Sequence, residues 1–294
     1  MVSFVYALKA GLGGKQSLLI VLPLVIFSIG LLTIFVRKQL NSHQPMLDLS
    51  LFSRPAILAG IIMAMVAAGA LAGVELTLAM ELQYIIGLTP LQAGLFMVPI
   101  MVAAAIGGPI AGFLSNKFGL RLVATLSLIL AAFALVSLSY SDFHHPGIII
   151  PFILASIGLT LSIGLTASSI AIMGSVPAEK GGAAGSLESK GYEIGTGLGI
   201  TLFGVFMAYI FGSHLQVQSD LTAVLAEKAR LSIGDTYLVA SQLPTEQGVA
   251  LINAGKIAFS SAHVNLLSTA GIIIGILSIV VFFMLAKYRD ENSL

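Results

Sequence analysis

Long apolar runs separated by polar links make up most of this chain. Seven of them, at about 17–36, 56–86, 90–114, 120–140, 147–173, 183–211 and 264–286, each reach the roughly 20 residues that a helix needs to cross the hydrocarbon core of a bilayer. The links 87–90 and 116–119 are so short that the runs they join are antiparallel neighbours. Two polar stretches are longer, 37–55 and 212–263. The pattern predicts an all-α, polytopic membrane bundle of about seven helices. Residues 9–211 carry six spans, 212–263 an extracytoplasmic hairpin loop, and 264–294 the last span and a tail. Residues 1–8 are apolar but too few to cross. They read as the stub of a truncated helix rather than a cleavable signal.

Inside the long loop, 220–231 and 249–259 space their apolar residues like short amphipathic helices, with Asp220 near the N-cap of the first. A loop of this length is usually functional or disordered, and its apolar positions favour a folded hairpin.

Composition agrees with the pattern. Hydrophobic residues are 57% of the chain and charged residues 9%, against about 25% charged in soluble domains. Mean hydropathy is +1.02. There is no cysteine, which excludes disulfides and thiolate metal sites. The five histidines are placed in loops or at helix ends, and His144–His145 reads as a polar turn rather than a metal site. Nothing calls for a cofactor, and a net charge of +1 without a basic run gives no sign of nucleic acid as a partner. Trp is absent, so Tyr, Lys and Arg anchor the interfaces.

Lys and Arg set the orientation. Arg37, Lys38, Arg54, Lys117, Arg121, Lys180, Lys287 and Arg289 fall on one side of the predicted membrane, and Lys9, Lys15, Lys228, Arg230 and Lys256 on the other. The short links on the second side carry neither residue type. The C-terminus is therefore expected in the cytoplasm and the long loop outside.

Carboxylates within spans are the chemistry to explain, since each costs on the order of 2.5–3.5 kcal/mol at the bilayer centre. Glu188 and Glu193 open the sixth span. Gly191, Gly195 and Gly199 recur at every fourth residue and form one small-residue face suited to close helix packing. Glu193 lies about 160° round the helix from Gly191, away from that seam, so a water-filled cavity is its expected direction. Tyr192 stands one turn beyond Glu188 and within hydrogen-bond reach of it. An ion pair of Glu188 with Lys190 or a neighbouring helix is the competing reading. In the second span Glu75 lies inside the apolar run. Glu81 is nearer the outer end, where a carboxylate costs little, and is read as structural. A buried Glu loses its proton when a cation arrives beside it, which is the minimal chemistry of proton/cation exchange. Tyr84, Phe96 and Tyr192 are candidates for a cation–π face. No nucleophile–base–acid set appears and the glycines do not follow a strand, so an enzyme is not expected.

The link Gly112-Phe-Leu-Ser-Asn-Lys117-Phe-Gly119-Leu-Arg121 resembles the signature turn of the major facilitator superfamily, G-x-L-[AS]-D-[RK]-x-G-x-[RK]. It departs at Asn116, where the signature has an acid. The stretches 44–52, 177–188 and 191–199, with Glu75-Leu-Thr-Leu-Ala-Met-Glu81 and Gly119-Leu-Arg-Leu-Val-Ala-Thr125, resemble the 14-helix drug:proton antiporter branch. Within it the likeness is to efflux pumps for methyl viologen and quaternary ammonium compounds. The resemblance implies a bacterial inner-membrane antiporter with lipophilic cations, protons and membrane lipid as its partners. It implies that Glu188 and Glu193 serve cation and proton. It also implies that this chain is the C-terminal half of such a pump, inactive without its N-terminal helix bundle. The alternative is a truncated membrane product or scaffold that transports nothing.

Overall fold

The computed structural model describes residues 18–40, 49–143, 145, 147–217 and 221–288. The predicted stub at 1–8, His43, His144, Asp220 and Arg289 lie outside them.

Nine α-helices are described: α1 Leu18–Leu40, α2 Pro55–Met80, α3 Pro90–Phe118, α4 Leu120–Ser139, α5 Ile149–Met173, α6 Gly181–His214, α7 Ala223–Ala229, α8 Ile233–Ala240 and α9 Thr245–Met284. Short 3₁₀ turns at Leu49–Ser53, Ala178–Lys180 and Leu285–Lys287 join or end them, and α2 ends in a π turn at Glu81–Ile85. There is no strand among the described residues. Six helices, α2 to α6 and α9, are long and apolar enough to cross a membrane. With α1, 23 residues long, they make a polytopic bundle of about seven helices.

Local chemistry sets the boundaries. Thr89 and Gln92 form a capping box at the start of α3, Gln92 N–H donating to Thr89 Oγ1 at 3.3 Å and Thr89 N–H to Gln92 Oε1 at 2.9 Å, with Pro90 in the first turn. Gly119 separates α3 from α4 with φ +84°, a conformation open to glycine at no steric cost.

The helices pair through small residues. In α2 and α6, which run parallel, Gly69 meets Gly195 and Gly199, and Gly73 meets Phe203. α3 crosses α5 where Gly158 touches the Ile100 backbone, and α4 meets α9 antiparallel where Gly271 touches Ala132 and Val136. Close backbone approach of this kind replaces the hydrophobic driving force that lipid removes. The outward faces stay apolar. Leu91, Leu95 and Ile106 on α3, Leu122, Leu126, Leu130 and Phe133 on α4, and Ile272, Ile276 and Ile279 on α9 are all exposed. Such a continuous apolar surface belongs against lipid.

The last helix begins at Thr245, well before the apolar run at 264 that predicted it. Its 40 residues extend about 60 Å, twice a bilayer core. The early half is amphipathic: Gly248, Leu251, Gly255, Ala258, Phe259 and Ala262 are buried. Of these, Leu251, Ala258, Phe259 and Ala262 pack with Phe211 from α6, with Leu215 just after it, and with Ile233 and Val239 from α8. The segment 249–259 is thus part of α9, and the first amphipathic segment is α7, N-capped at Thr222. Tyr237 on α8 fastens this small apolar core to α2, donating to the Tyr84 carbonyl at 2.7 Å with its ring 5.7 Å from that of Tyr84.

Candidate functional site

α6 presents two opposed faces. On one, Gly191, Gly195 and Gly199 are buried against α2. A Cβ added at 195 would overlap the Met65 backbone, and one at 199 the Gly69 backbone. On the other, Ser186, Lys190, Glu193 and Gly197 form an exposed stripe at helical spacing. Lys190 donates to Glu193 Oε2 at 2.7 Å, and the two side chains are 57% and 61% exposed. Lys190 therefore pairs with Glu193, not with Glu188. Farther along, the uncovered side chains turn apolar, with Ile200 and Leu202. The polar part of the stripe reaches about 18 Å along the helix from Gly181 to Glu193.

Glu188 points elsewhere. The Tyr192 hydroxyl donates to Glu188 Oε1 at 2.6 Å, across one helical turn. The same hydroxyl is 3.2 Å from the Leu165 carbonyl on α5 and 3.5 Å from Ser168 Oγ. A hydroxyl has one proton to give. When Glu188 is ionised, that proton goes to the carboxylate. When Glu188 is protonated it can donate to the Tyr192 oxygen, whose own proton then turns to Leu165.

Glu75 does not join this group. It is half-buried on α2. The parallel register of α2 and α6, Met65 beside Gly195, puts it about 12 residues, or roughly 18 Å, beyond the level of Glu193. Nor do the carboxylates line the large apolar cleft between α2, α6 and α9. That cleft holds about 600 Å³, within the range of drug-sized sites, and is walled by Val66, Phe203, Phe206, Tyr209 and Ile273 among others. Its aromatic residues are not those chosen from the sequence. Tyr84 stacks near Tyr237, Phe96 near Phe143, and Tyr192 serves Glu188. Phe203, Phe206 and Tyr209 lie at i, i+3 and i+6, a spacing that marks one helix face and was available to pattern reading.

Glu81 overturns the expectation of an interfacial acid. It is 4% exposed, accepts from Ser260 Oγ at 2.9 Å, and lies 3.2 Å from His263 Nδ1. His263 is itself 3% exposed and sits within α9, not at a helix end. Both corrections have one cause. α9 begins well before its apolar run, and that early half covers the π turn that carries Glu81.

In the signature turn Arg121 is the residue that reaches across the bundle. Its Nε donates to the Phe282 carbonyl at 2.8 Å, and its guanidinium lies 3.6 Å over the Phe282 ring. Positive charge is thereby held at the C-terminal end of α9, where the helix dipole favours it. Lys117 stays exposed, 5.3 Å from the Phe118 ring centroid. Gly112 has open space around its Cβ position, and Gly119 supplies the turn.

No family model matches the chain. Curated relatives do. Methyl viologen resistance protein SmvA of Salmonella typhimurium is 40% identical over 283 residues, 96% of this chain and 57% of the relative. Multidrug efflux pump LfrA of Mycolicibacterium smegmatis is 30% identical over 239 residues, 80% of this chain and 47% of the relative. Multidrug resistance protein Stp of Mycobacterium tuberculosis is 28% identical over 183 residues, 62% of this chain and 34% of the relative. The chain thus resembles drug-efflux and resistance proteins of the major facilitator kind over nearly its whole length, and it spans about half the length of the curated relatives it matches.

Proposed function

We propose that this chain is the C-terminal part of a proton-coupled exporter of lipophilic cations, such as methyl viologen and quaternary ammonium compounds, in the bacterial inner membrane. The observation that carries the proposal is the exposed polar stripe on α6, in which Glu193 is 61% exposed and paired with Lys190. In a lipid-facing position that stripe would be costly. Facing a water-filled path between two helix bundles, it attracts a cation and holds a proton by turns. A second, N-terminal bundle is the partner that encloses the path. Glu193 meets the cation, Lys190 shields it in the absence of one, and Glu188 with Tyr192 keeps or releases the proton. Glu75 serves the far end of the same path. Binding of the cation's apolar body fits the aromatic cleft between α2, α6 and α9.

The C-terminus is cytoplasmic in this reading. Arg54, Lys117, Arg121 and Lys180 stand at the end of the bundle opposite the α7–α9 hairpin, as the distribution of positive charge requires.

The test is uptake of methyl viologen into inverted vesicles by the transporter carrying this chain, driven by a pH gradient. Glu75, Glu188 and Glu193 are replaced one at a time by Gln. Glu193→Gln is expected to lower gradient-driven accumulation by about 5–150-fold, the usual range of coupling between sites. Full accumulation by Glu193→Gln would sink the proposal.

A further inference from the structure

We propose that Glu81 and His263 form a second, exchangeable proton-binding site that opens toward the hairpin end of the bundle. It deepens the export reading above by giving the driving proton a place to bind outside the α6 stripe.

Four observations converge. The first is burial: the two residues are 4% and 3% exposed, yet both are ionisable. Placing a lone carboxylate there is costly, and a carboxylate with an imidazole is neutral only when the two share one proton. The second is an unfinished hydrogen-bond set. Glu81 receives Ser260 Oγ and faces His263 Nδ1, while His263 Nε2 is buried with no partner among the described residues. A purely structural clasp would be expected to satisfy that nitrogen.

The third is access. A cavity of about 200 Å³ borders the pair and is edged by Ser139, Ser141, Asp142 and Ser260. At about 30 Å³ per water it has room for a short hydrogen-bonded chain. Asp142 is 61% exposed and pairs with exposed His145 at 3.2 Å, so the lining passes from the buried pair to the surface. The fourth is backbone. Glu81 begins a π turn, with Ile86 N–H donating to the Glu81 carbonyl at 3.2 Å. Such turns recur at functional sites because they re-aim a side chain.

The titratable surroundings are few. On the link after α4, Asp142 lines the cavity; α4 itself contributes Ser139, and Phe143 stacks on the His263 ring at 6.0 Å. On α9, Lys256 lies seven residues earlier on the same face. On α2, Glu75 lies six residues before Glu81. Glu81, Asp142 and His263 are the titratable residues in the cavity wall.

The experiment uses the transporter carrying this chain in lipid nanodiscs and needs no transport. Infrared carboxyl bands and ¹⁵N-histidine resonances are followed from about pH 9 down to about pH 5, a range in which imidazole and shared carboxylate protons titrate. The wild type is expected to take up one proton at the pair. That signal is absent in Glu81→Gln and in His263→Gln, and it persists in Glu193→Gln. Ser260→Ala removes a hydrogen bond but no titratable group, so it moves the midpoint and keeps the proton count. It reports even where the other two variants fold poorly. Difference spectra of Glu81→Gln and His263→Gln that match the wild type, or a Ser260→Ala midpoint that does not move, overturn the proposal. Because no cation moves in this assay, its failure leaves the export reading standing, and failed export leaves this result readable.

Discussion

Arg121 shows how one side chain ties distant parts of the chain together. It sits at the start of α4, yet its guanidinium stacks on Phe282 and bonds the Phe282 carbonyl near the end of α9. A charged hydrogen bond of this kind contributes roughly 1.5–3 kcal/mol. Arg121→Gln is accordingly expected to lower the thermal unfolding midpoint in detergent, whereas Lys117→Gln, on an exposed side chain, leaves it nearly unchanged. Equal midpoints for the two variants would show that the contact adds nothing. At this scale the sequence exposes what is chemically odd: Glu188 and Glu193 stand out because acids are rare in apolar runs. Glu81 and His263 are just as unusual once folded. Each is legible alone, Glu81 as an acid near the end of a span and His263 as a residue just before one, but their pairing is not, because they lie 182 positions apart.

Elements follow the apolar pattern closely where helices cross lipid, and less closely where they leave it. The boundaries of α2 to α6 fall within a few residues of the apolar runs. α9 does not. Asn253, Lys256, Ser260 and His263 precede its apolar run, and their polarity reads as a separate short amphipathic helix in a loop rather than as the start of the spanning one. In fact the helix persists, because an amphipathic face packs on the hairpin core. The glycine face of α6 was legible from its spacing of four. What that face meets was not, since the partner stretch on α2, from Met65 to Gly69, carries only one glycine. The contact itself can be tested. Gly195→Ala forces a methyl group into the Met65 backbone, an overpacking cost of about 1–3 kcal/mol. Gly197→Ala meets nothing within 4 Å and gains roughly 0.5–1 kcal/mol of helix preference. Unfolding midpoints should therefore move in opposite directions from wild type, and a shared direction would argue against the close α2–α6 approach.

For the molecule as a whole, the question is which of its outward surfaces meets lipid and which meets water. α3, α4 and α9 show mainly apolar outward faces; α6 shows Ser186, Lys190, Glu193 and Gly197 in a row. Export of cations depends on that row facing an aqueous path. Because the chain contains no cysteine, a single introduced cysteine reports on its own surroundings. Ser186→Cys and Gly197→Cys sample the stripe; Leu126→Cys and Leu130→Cys sample the apolar face of α4. Labelling each in membranes with a water-soluble maleimide, with and without methyl viologen, is the most direct measurement. The stripe positions should react readily and be protected by the cation, while the α4 positions stay inert. A Gly197→Cys variant as unreactive as Leu126→Cys would place Glu193 against lipid and contradict the account.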